Sequence, residues 1–430
     1  METESDVADI ITRLVLQLAV ILFAAKVGGE IFERYLKQPS VLGELVAGMI
    51  IGPYALGGVT FFGHGPLFPS LHQAESFLPI STELYAFGQV AAIILLFAAG
   101  LQTDLRQFLR YGVPATVIAV GGVTLAFLVG AYATVALGFA SGFGDPTALF
   151  MGAIMTATSV GITARVISDI GKLASPEGTT ILGAAVVDDV LGILVLTVVV
   201  GIASTGGISL SDVATVAGKA IGFWIGLMAL GMLLSRQIAG FFLRFRAAGA
   251  ALALALALAF LASSLAESFG LALIIGAYAI GLSLSNTQLR TVLEKPLSGL
   301  YHALVPIFFV VMGMLVDFGS MGGAIGLGVL ITVLAIVGKL VGCGLPALAV
   351  GFNRRGATRI GIGMLPRGEV ALIIAGVGIT QNVIGLDIFG VAIMMTIVTT
   401  LMAPPLLIPI FRKGGPGRRS SEGTDSEAKQ

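Results

Sequence analysis

The chain has 430 residues, 56% of them hydrophobic and 11% charged, and its 24 basic and 24 acidic side chains balance to zero. A soluble domain carries about 25% charged residues, so this composition excludes a soluble globular protein, and the balanced charge offers no handle for nucleic acid. The single cysteine, Cys343, allows neither an intramolecular disulfide nor a cysteine-built metal site.

The acidic start METESDVADI lacks the basic opening of a secretory signal, and no signal peptide is expected. Apolar stretches of bilayer-crossing length, roughly 17–25 residues, then recur thirteen times. They run at about 7–34, 38–56, 83–100, 110–138, 146–168, 178–204, 211–240, 248–266, 269–286, 297–316, 321–350, 356–380 and 387–411. The run ALALALALAF at 251–260 alternates like a strand, but its length and surroundings predict a helix. Abundant glycine, 59 residues, suits close helix packing in a membrane. The tail 412–430 is short, charged and rich in Ser and Gly, and is expected to be disordered, with no soluble nucleotide-binding domain after the membrane part.

Basic residues mark alternate connections: Lys26, Arg34 and Lys37; Arg106 and Arg110; Arg165 and Lys172; Arg236, Arg244 and Arg246; Arg290 and Lys295; Arg354, Arg355 and Arg359; and the tail. The other connections hold none, and carry Glu75, Asp145, Glu267, Asp317 and Asp387 instead. The chain therefore has a basic face and an acidic face. The positive-inside rule puts the basic face and the C-terminus in the cytoplasm and the N-terminus outside, as in a multi-pass protein of the cell inner membrane surrounded by membrane lipids.

Few charges remain at membrane depth: Glu44, Asp188, Asp189, Lys339, Arg367 and Glu369, with Lys219 close enough to an interface to snorkel. Each costs about 2.5–3.5 kcal/mol at the bilayer centre on insertion scales, so such side chains face a cavity or a partner. Asp188 and Asp189 are adjacent in ILGAAVVDDVLG. On a helix they point about 100° apart, so one can line a water-filled path while the other meets a neighbouring helix. Two close carboxylates repel, which favours a proton or a hard cation among their oxygens. That is the chemistry of an ion/proton exchanger; packing or capping is the plainer alternative. Lys339, in LAIVGKLVGCG, needs a counter-ion unless it snorkels, and a bridge to Asp188 is the economical choice.

Two spans carry interruptions. TATSVGITARV, 156–166, places Thr156, Thr158 and Ser159 beside Gly161, where hydroxyls can serve a broken helix or bond their own helix carbonyls. GIGMLPRGEVALI, 361–373, holds Pro366 and Gly368. One interrupted segment per half points to an inverted-repeat transporter with its site at the midplane. Arg367 and Glu369 are expected to form a supporting ion pair with each other or with neighbours. Glu44 fits either a dimer interface or an ion path. His64, His72 and His302 are scattered, and no metal site is expected from them.

Together QPSVLGELVAGMIIGP, TATSVGITARV, AAVVDDVLG, VPIFFVVMGM and GMLPRGEVAL give the chain a resemblance, over nearly its whole length, to bacterial Na+/H+ antiporters of the cation:proton antiporter superfamily, in the NapA-like branch. The resemblance implies an all-α polytopic membrane protein of about thirteen transmembrane helices, with inverted repeats and two crossed discontinuous helices. It implies that Asp189 is the main cation and proton carrier, that Asp188 pairs with Lys339, and that Thr158 and Ser159 stand at the unwound crossover. Na+ or Li+ would bind at Asp189 and Asp188 and exchange with H+, with no cofactor. The family further implies a homodimer with an elevator-like core: a dimerisation part at about 7–56 and 248–316, a core at about 83–204 and 321–411, and a linker helix at about 211–240. Relatives using K+ replace the first aspartate by glutamine. K+/H+ exchange and a sodium-coupled organic-anion symporter of related architecture are the alternatives. An intramembrane aspartyl protease is disfavoured, because it needs two aspartates converging from different helices. An enzyme activity is therefore not expected.

Overall fold

The computed structural model describes residues 2–60, 65–70, 79–205, 210–317, 319 and 325–419, the side chains of 2–7, 204, 205 and 210 excepted. His64, His72 and Glu75 lie outside these residues. The described chain folds into fifteen α-helices: α1 (Glu2–Arg34), α2 (Ser40–Ile51), α3 (Thr82–Gln102), α4 (Leu105–Ala136), α5 (Pro146–Thr156), α6 (Val160–Asp169), α7 (Pro176–Thr205) and α8 (Leu210–Phe242), then α9 (Ala250–Ser268), α10 (Leu273–Leu284), α11 (Leu289–Met314), α12 (Ile325–Ala349), α13 (Arg354–Gly363), α14 (Glu369–Thr380) and α15 (Leu386–Arg412). They account for the thirteen expected segments: the fifth is split into α5 and α6, the twelfth into α13 and α14. Among the described residues, eleven spans are long and apolar enough to cross a membrane, and α10 and α14 are shorter apolar helices.

Polar residues between the apolar runs fix where helices begin. Ser81 Oγ accepts from Leu84 N–H at 3.3 Å, Asp104 Oδ1 from Arg106 and Gln107 at 2.8 and 3.1 Å, Asp145 Oδ1 from Thr147 at 2.9 Å, and Asn353 Oδ1 from Gly356 at 3.0 Å. Each satisfies a first-turn N–H that has no partner within its helix. The ALALALALAF run is helical: Ala255, Ala259, Ala262 and Ala266 are buried at spacings of three and four, one helix face.

Small residues let backbones approach. Gly28 meets Gly43 between α1 and α2, Gly48 meets Gly313 between α2 and α11, Gly100 and Gly281 join α3 to α10, and Gly342 abuts Gly121 and Gly122 between α12 and α4. Two groups result. One gathers α1, α2, α3 and α9–α11; the other gathers α4, α5, α7 and α12–α15. Helix α3 thus packs on α10 and α11. The reason is the paired glycines, which bring Gly100 against the backbone of Tyr278–Leu282.

The tail departs from expectation. Residues 413–419 are packed rather than disordered: Asn353 Nδ2 donates to the carbonyls of Pro416 and Arg418 at 2.7 and 3.1 Å, Phe352 and Arg418 form an isolated β-bridge, and the Arg418 guanidinium lies 5.1 Å over the Tyr111 ring. Arg359 adds bonds to the carbonyls of Gly414 and Gly415 while pairing with Glu177 at 2.5 Å, both side chains buried. Exposed carbonyls of a glycine-rich segment are good acceptors for buried cations, which composition alone does not reveal. The expectation for 420–430 falls outside the described residues.

Candidate functional site

The two interruptions meet. α5 ends at Thr156 and α6 resumes at Val160; α13 ends at Gly363 and α14 starts at Glu369. Across the crossing, Ser159 N–H donates to Pro366 O at 2.7 Å, Thr163 Oγ1 to Gly363 O at 2.8 Å and Thr158 Oγ1 to Met364 O at 3.4 Å. Backbone freed from each broken helix is thereby satisfied by the other, which non-helical chain at membrane depth requires. Gly368 lies against Ser159, where a Cβ would stand 2.9 Å from Ser159 Oγ.

Helix α7 delivers the aspartate pair beside this crossing. Asp188 Oδ1 accepts a hydrogen bond from Lys339 Nζ at 2.7 Å, with side-chain exposures of 1% and 0%. The bridge expected from the lysine's need for a counter-ion is therefore formed. Gly122 on α4 lies beside the lysine and leaves room for Cys343, whose Sγ would stand 2.5 Å from a Cβ there. Asp189 points elsewhere, as neighbours on a helix must. It lines a cavity of about 310 Å³ together with Glu369, Tyr85, Gln89 and Glu267. The cavity lies between α3, α7, the α9–α10 connection and α14, on the acidic-face side of the crossing. Asp189 Oδ2, Glu369 Oε2 and Ser159 Oγ are buried without a hydrogen-bond partner among the described residues. Asp189 also feels the charges of Asp188, Glu369 and Lys339. Two carboxylates with unpartnered oxygens line one cavity, and the Ser159 hydroxyl lies against Gly368, next in the chain to Glu369; such oxygens can accept from a proton or coordinate a hard cation.

Arg367 and Glu369, expected to pair with each other or with neighbours, make no ion pair with each other. Arg367, fully buried, sits in the extended break and turns toward α5 and α12. Its Nη2 donates to Met155 O at 3.0 Å and Ala335 O at 3.5 Å, and its Nη1 to Leu365 O at 3.3 Å, while Thr400 Oγ1 donates to its carbonyl. The guanidinium thus serves the carbonyl end of α5, where the helix dipole is negative. Glu369 opens α14, where the dipole favours an acid, and faces the cavity.

Other residues were assigned differently by the sequence. Arg165, read as a basic connection residue, is buried at 4% exposure and lies 3.7 Å from Glu44, itself 2% exposed. Tyr85 and Gln89 on the cavity wall escaped notice; their i, i+4 spacing on α3 is the signal that could have paired them on one face. The Glu177–Arg359 pair had no local signal, since its members are 182 residues apart. His302 lies on α11 beside Tyr301.

Comparison with known proteins bears on this geometry. Residues 19–413 match the family described as sodium/hydrogen exchanger, transmembrane. The high-affinity Na(+)/H(+) antiporter NhaS3 of Synechocystis sp. is 36% identical over 96% of this chain and 93% of its own. The Na(+)/H(+)-K(+) antiporter GerN of Bacillus cereus is 34% identical over 91% of this chain and 94% of its own. The solved sodium proton antiporter MjNhaP1 of Methanocaldococcus jannaschii superimposes with a TM-score of 0.66 over 94% of this chain and 99% of its own, at 20% identity, and so shares the fold. With the family matched over most of its length and two crossed, discontinuous helices at its centre, the chain belongs to the transmembrane sodium/hydrogen exchanger family of the cation:proton antiporter superfamily, and is a multi-pass membrane transporter rather than an enzyme.

Proposed function

We propose that the chain exchanges a monovalent cation, Na+ or Li+, for protons, with Asp189 as the carrier of both. The observation that carries this is the Asp189 carboxylate: buried at 6% exposure, with an unpartnered oxygen, on the wall of a cavity it shares with Glu369. Cation and proton compete for the same oxygens, so loading one expels the other. Thr158, Ser159 and backbone oxygens freed at the crossing complete the shell. Cation binding at the aspartates draws Asp188 from Lys339, and the lysine then yields its proton. Two protons against one cation make the cycle electrogenic.

Access alternates between faces by an elevator-type movement within a homodimer. The dimerisation side is α1, α2 and α9–α11, joined by α3 because of its packing, and the moving core is α4–α7 with α12–α15; α8 is the linker. The basic face is cytoplasmic, the N-terminus is outside, and the membrane is the cell's inner membrane. A K+/H+ mode is the second reading, favoured by the K+ in the name of the relative GerN.

The test is exchange in proteoliposomes driven by a pH gradient, with Na+, Li+ and K+ across a pH series. Asp189→Asn is expected to abolish exchange of every cation; retained Na+ exchange would remove Asp189 from the carrier role. Lys339→Gln is expected to abolish the voltage dependence of exchange.

A further inference from the structure

The basic face carries a second cavity, of about 680 Å³, which does not reach Asp189. At its inner wall lie Arg165 and Glu44, neither used by the ion site. Arg165 belongs to α6, assigned above to the moving core, yet its side chain reaches α2 and α11 of the group proposed as the dimerisation side. Its Nη2 is 3.7 Å from Glu44 Oε1 and 3.4 Å from Ser40 Oγ, both on α2. Its guanidinium lies 5.1 Å over the Tyr301 ring and 5.9 Å from the Phe309 ring, both on α11. Its Nε is held by Asp169 Oδ2 at 3.0 Å on its own helix, which leaves the arm aimed at α2 and α11.

Two features argue against simple scaffolding. A buried ion pair returns little net stability, because desolvation offsets the Coulomb gain. This pair is also left incomplete: Arg165 Nη1 and Glu44 Oε2 are buried without a partner. A long 3.7 Å contact with spare donors and acceptors is suited to breaking and remaking. Its place fits as well. Arg165 is about two turns along α6 from Ser159, so the contact spans the seam between the half-helix pair and the neighbouring group on the side away from the Asp189 cavity.

We propose that Arg165 is a positioning residue of the exchange cycle: bound to Glu44 and stacked on Tyr301, it latches α6 to α2 and α11 and holds the basic-face route to Asp189 shut, and its release is a step of the cycle. The proposal rests on the alternating-access reading above.

Sided labelling tests it. In a Cys343→Ser background, Ile193→Cys reports the Asp189 cavity, which it lines, and Ile162→Cys reports the stretch of α6 between Ser159 and Arg165, where Ile162 lines a small pocket with Gly368. A membrane-impermeant thiol reagent is expected to label Ile193→Cys quickly and Ile162→Cys slowly when the latch is intact. Glu44→Gln and Arg165→Lys are each expected to shift the ratio of rates at least tenfold toward Ile162→Cys. The charge swap Glu44→Arg with Arg165→Glu is expected to restore it. Tyr301→Leu keeps both charges and should shift the ratio the same way by a smaller factor, which gives a second route should a charge variant fail to fold. Faster labelling at both sites would mean general loosening and would overturn the latch. An unchanged ratio in the variants, in a protein whose parent ratio responds to Na+, would overturn the latch and leave alternating access standing. A parent ratio insensitive to Na+ and pH would overturn alternating access, and the latch with it.

Discussion

The Asp188–Lys339 bridge allows a quantitative test. At 2.7 Å, and with an effective dielectric near 20, the Coulomb attraction is about 6 kcal/mol. Desolvating two charges that are 1% and 0% exposed takes back most of that, so the net contribution of the intact pair is small. Removing one partner is different, because a lone buried charge remains. Lys339→Gln and Asp188→Asn are each expected to cost about 3–5 kcal/mol of unfolding free energy, or roughly two to three and a half powers of ten in the equilibrium constant. The double variant, two neutral amides in the same space, should lose less than either single one. Equilibrium unfolding by sodium dodecyl sulfate in mixed micelles, followed by tryptophan fluorescence from Trp224, reads all four proteins. Because the double variant is to lose less than either single one, a coupling of at least about 3 kcal/mol is expected, at the upper end of the range for direct contacts. If the losses of the two single variants simply added in the double, the bridge would carry no coupling and the reasoning would fail.

Other perturbations separate the site from the scaffold. Glu369→Gln should raise the apparent KM for Na+ several-fold while leaving unfolding unchanged; an unaltered KM would take Glu369 out of the ion path. Gly281→Ala places a Cβ against the carbonyl of Phe97 on α3, and the strain should lower stability by about 1–3 kcal/mol; a neutral outcome would mean that α3 and α10 can move apart. Backbone N–H groups of Ser141 and Thr147 hold the Asp145 carboxyl below its ordinary 3.8. Its capping contribution is therefore complete above that value and fades as pH falls through the lowered one. Asp145→Ala should cost about 1 kcal/mol at pH 7, and the gap from the parent should narrow in acid; a pH-independent gap would contradict the assignment.

Much of the architecture was legible because a bilayer leaves a chain few choices. Thirteen apolar runs, alternating basic and acidic connections, and a broken segment in each half follow from hydropathy, Gly and Pro, and charge count alone. The acid pair and the lysine stood out because charge at membrane depth is expensive, so the bridge of Asp188 to Lys339 could be anticipated from a shortage of other partners. Glu369 and Arg367 could not be apportioned that way. They are two residues apart, and only the path of the chain through the break sends one to the end of α5 and the other to the cavity. Likewise Arg165 reads as an ordinary basic residue near a helix end, yet the fold buries it against Glu44, 121 positions earlier in the chain, and Tyr301. The side of the bundle on which α3 packs, the anchoring of 413–419 by Asn353 and Arg359, and the meeting of the two breaks all depend on contacts between distant segments. Sequence determines which groups must escape lipid; only the tertiary structure decides where each finds its partner, because that depends on which helix faces are brought within a few ångströms of one another.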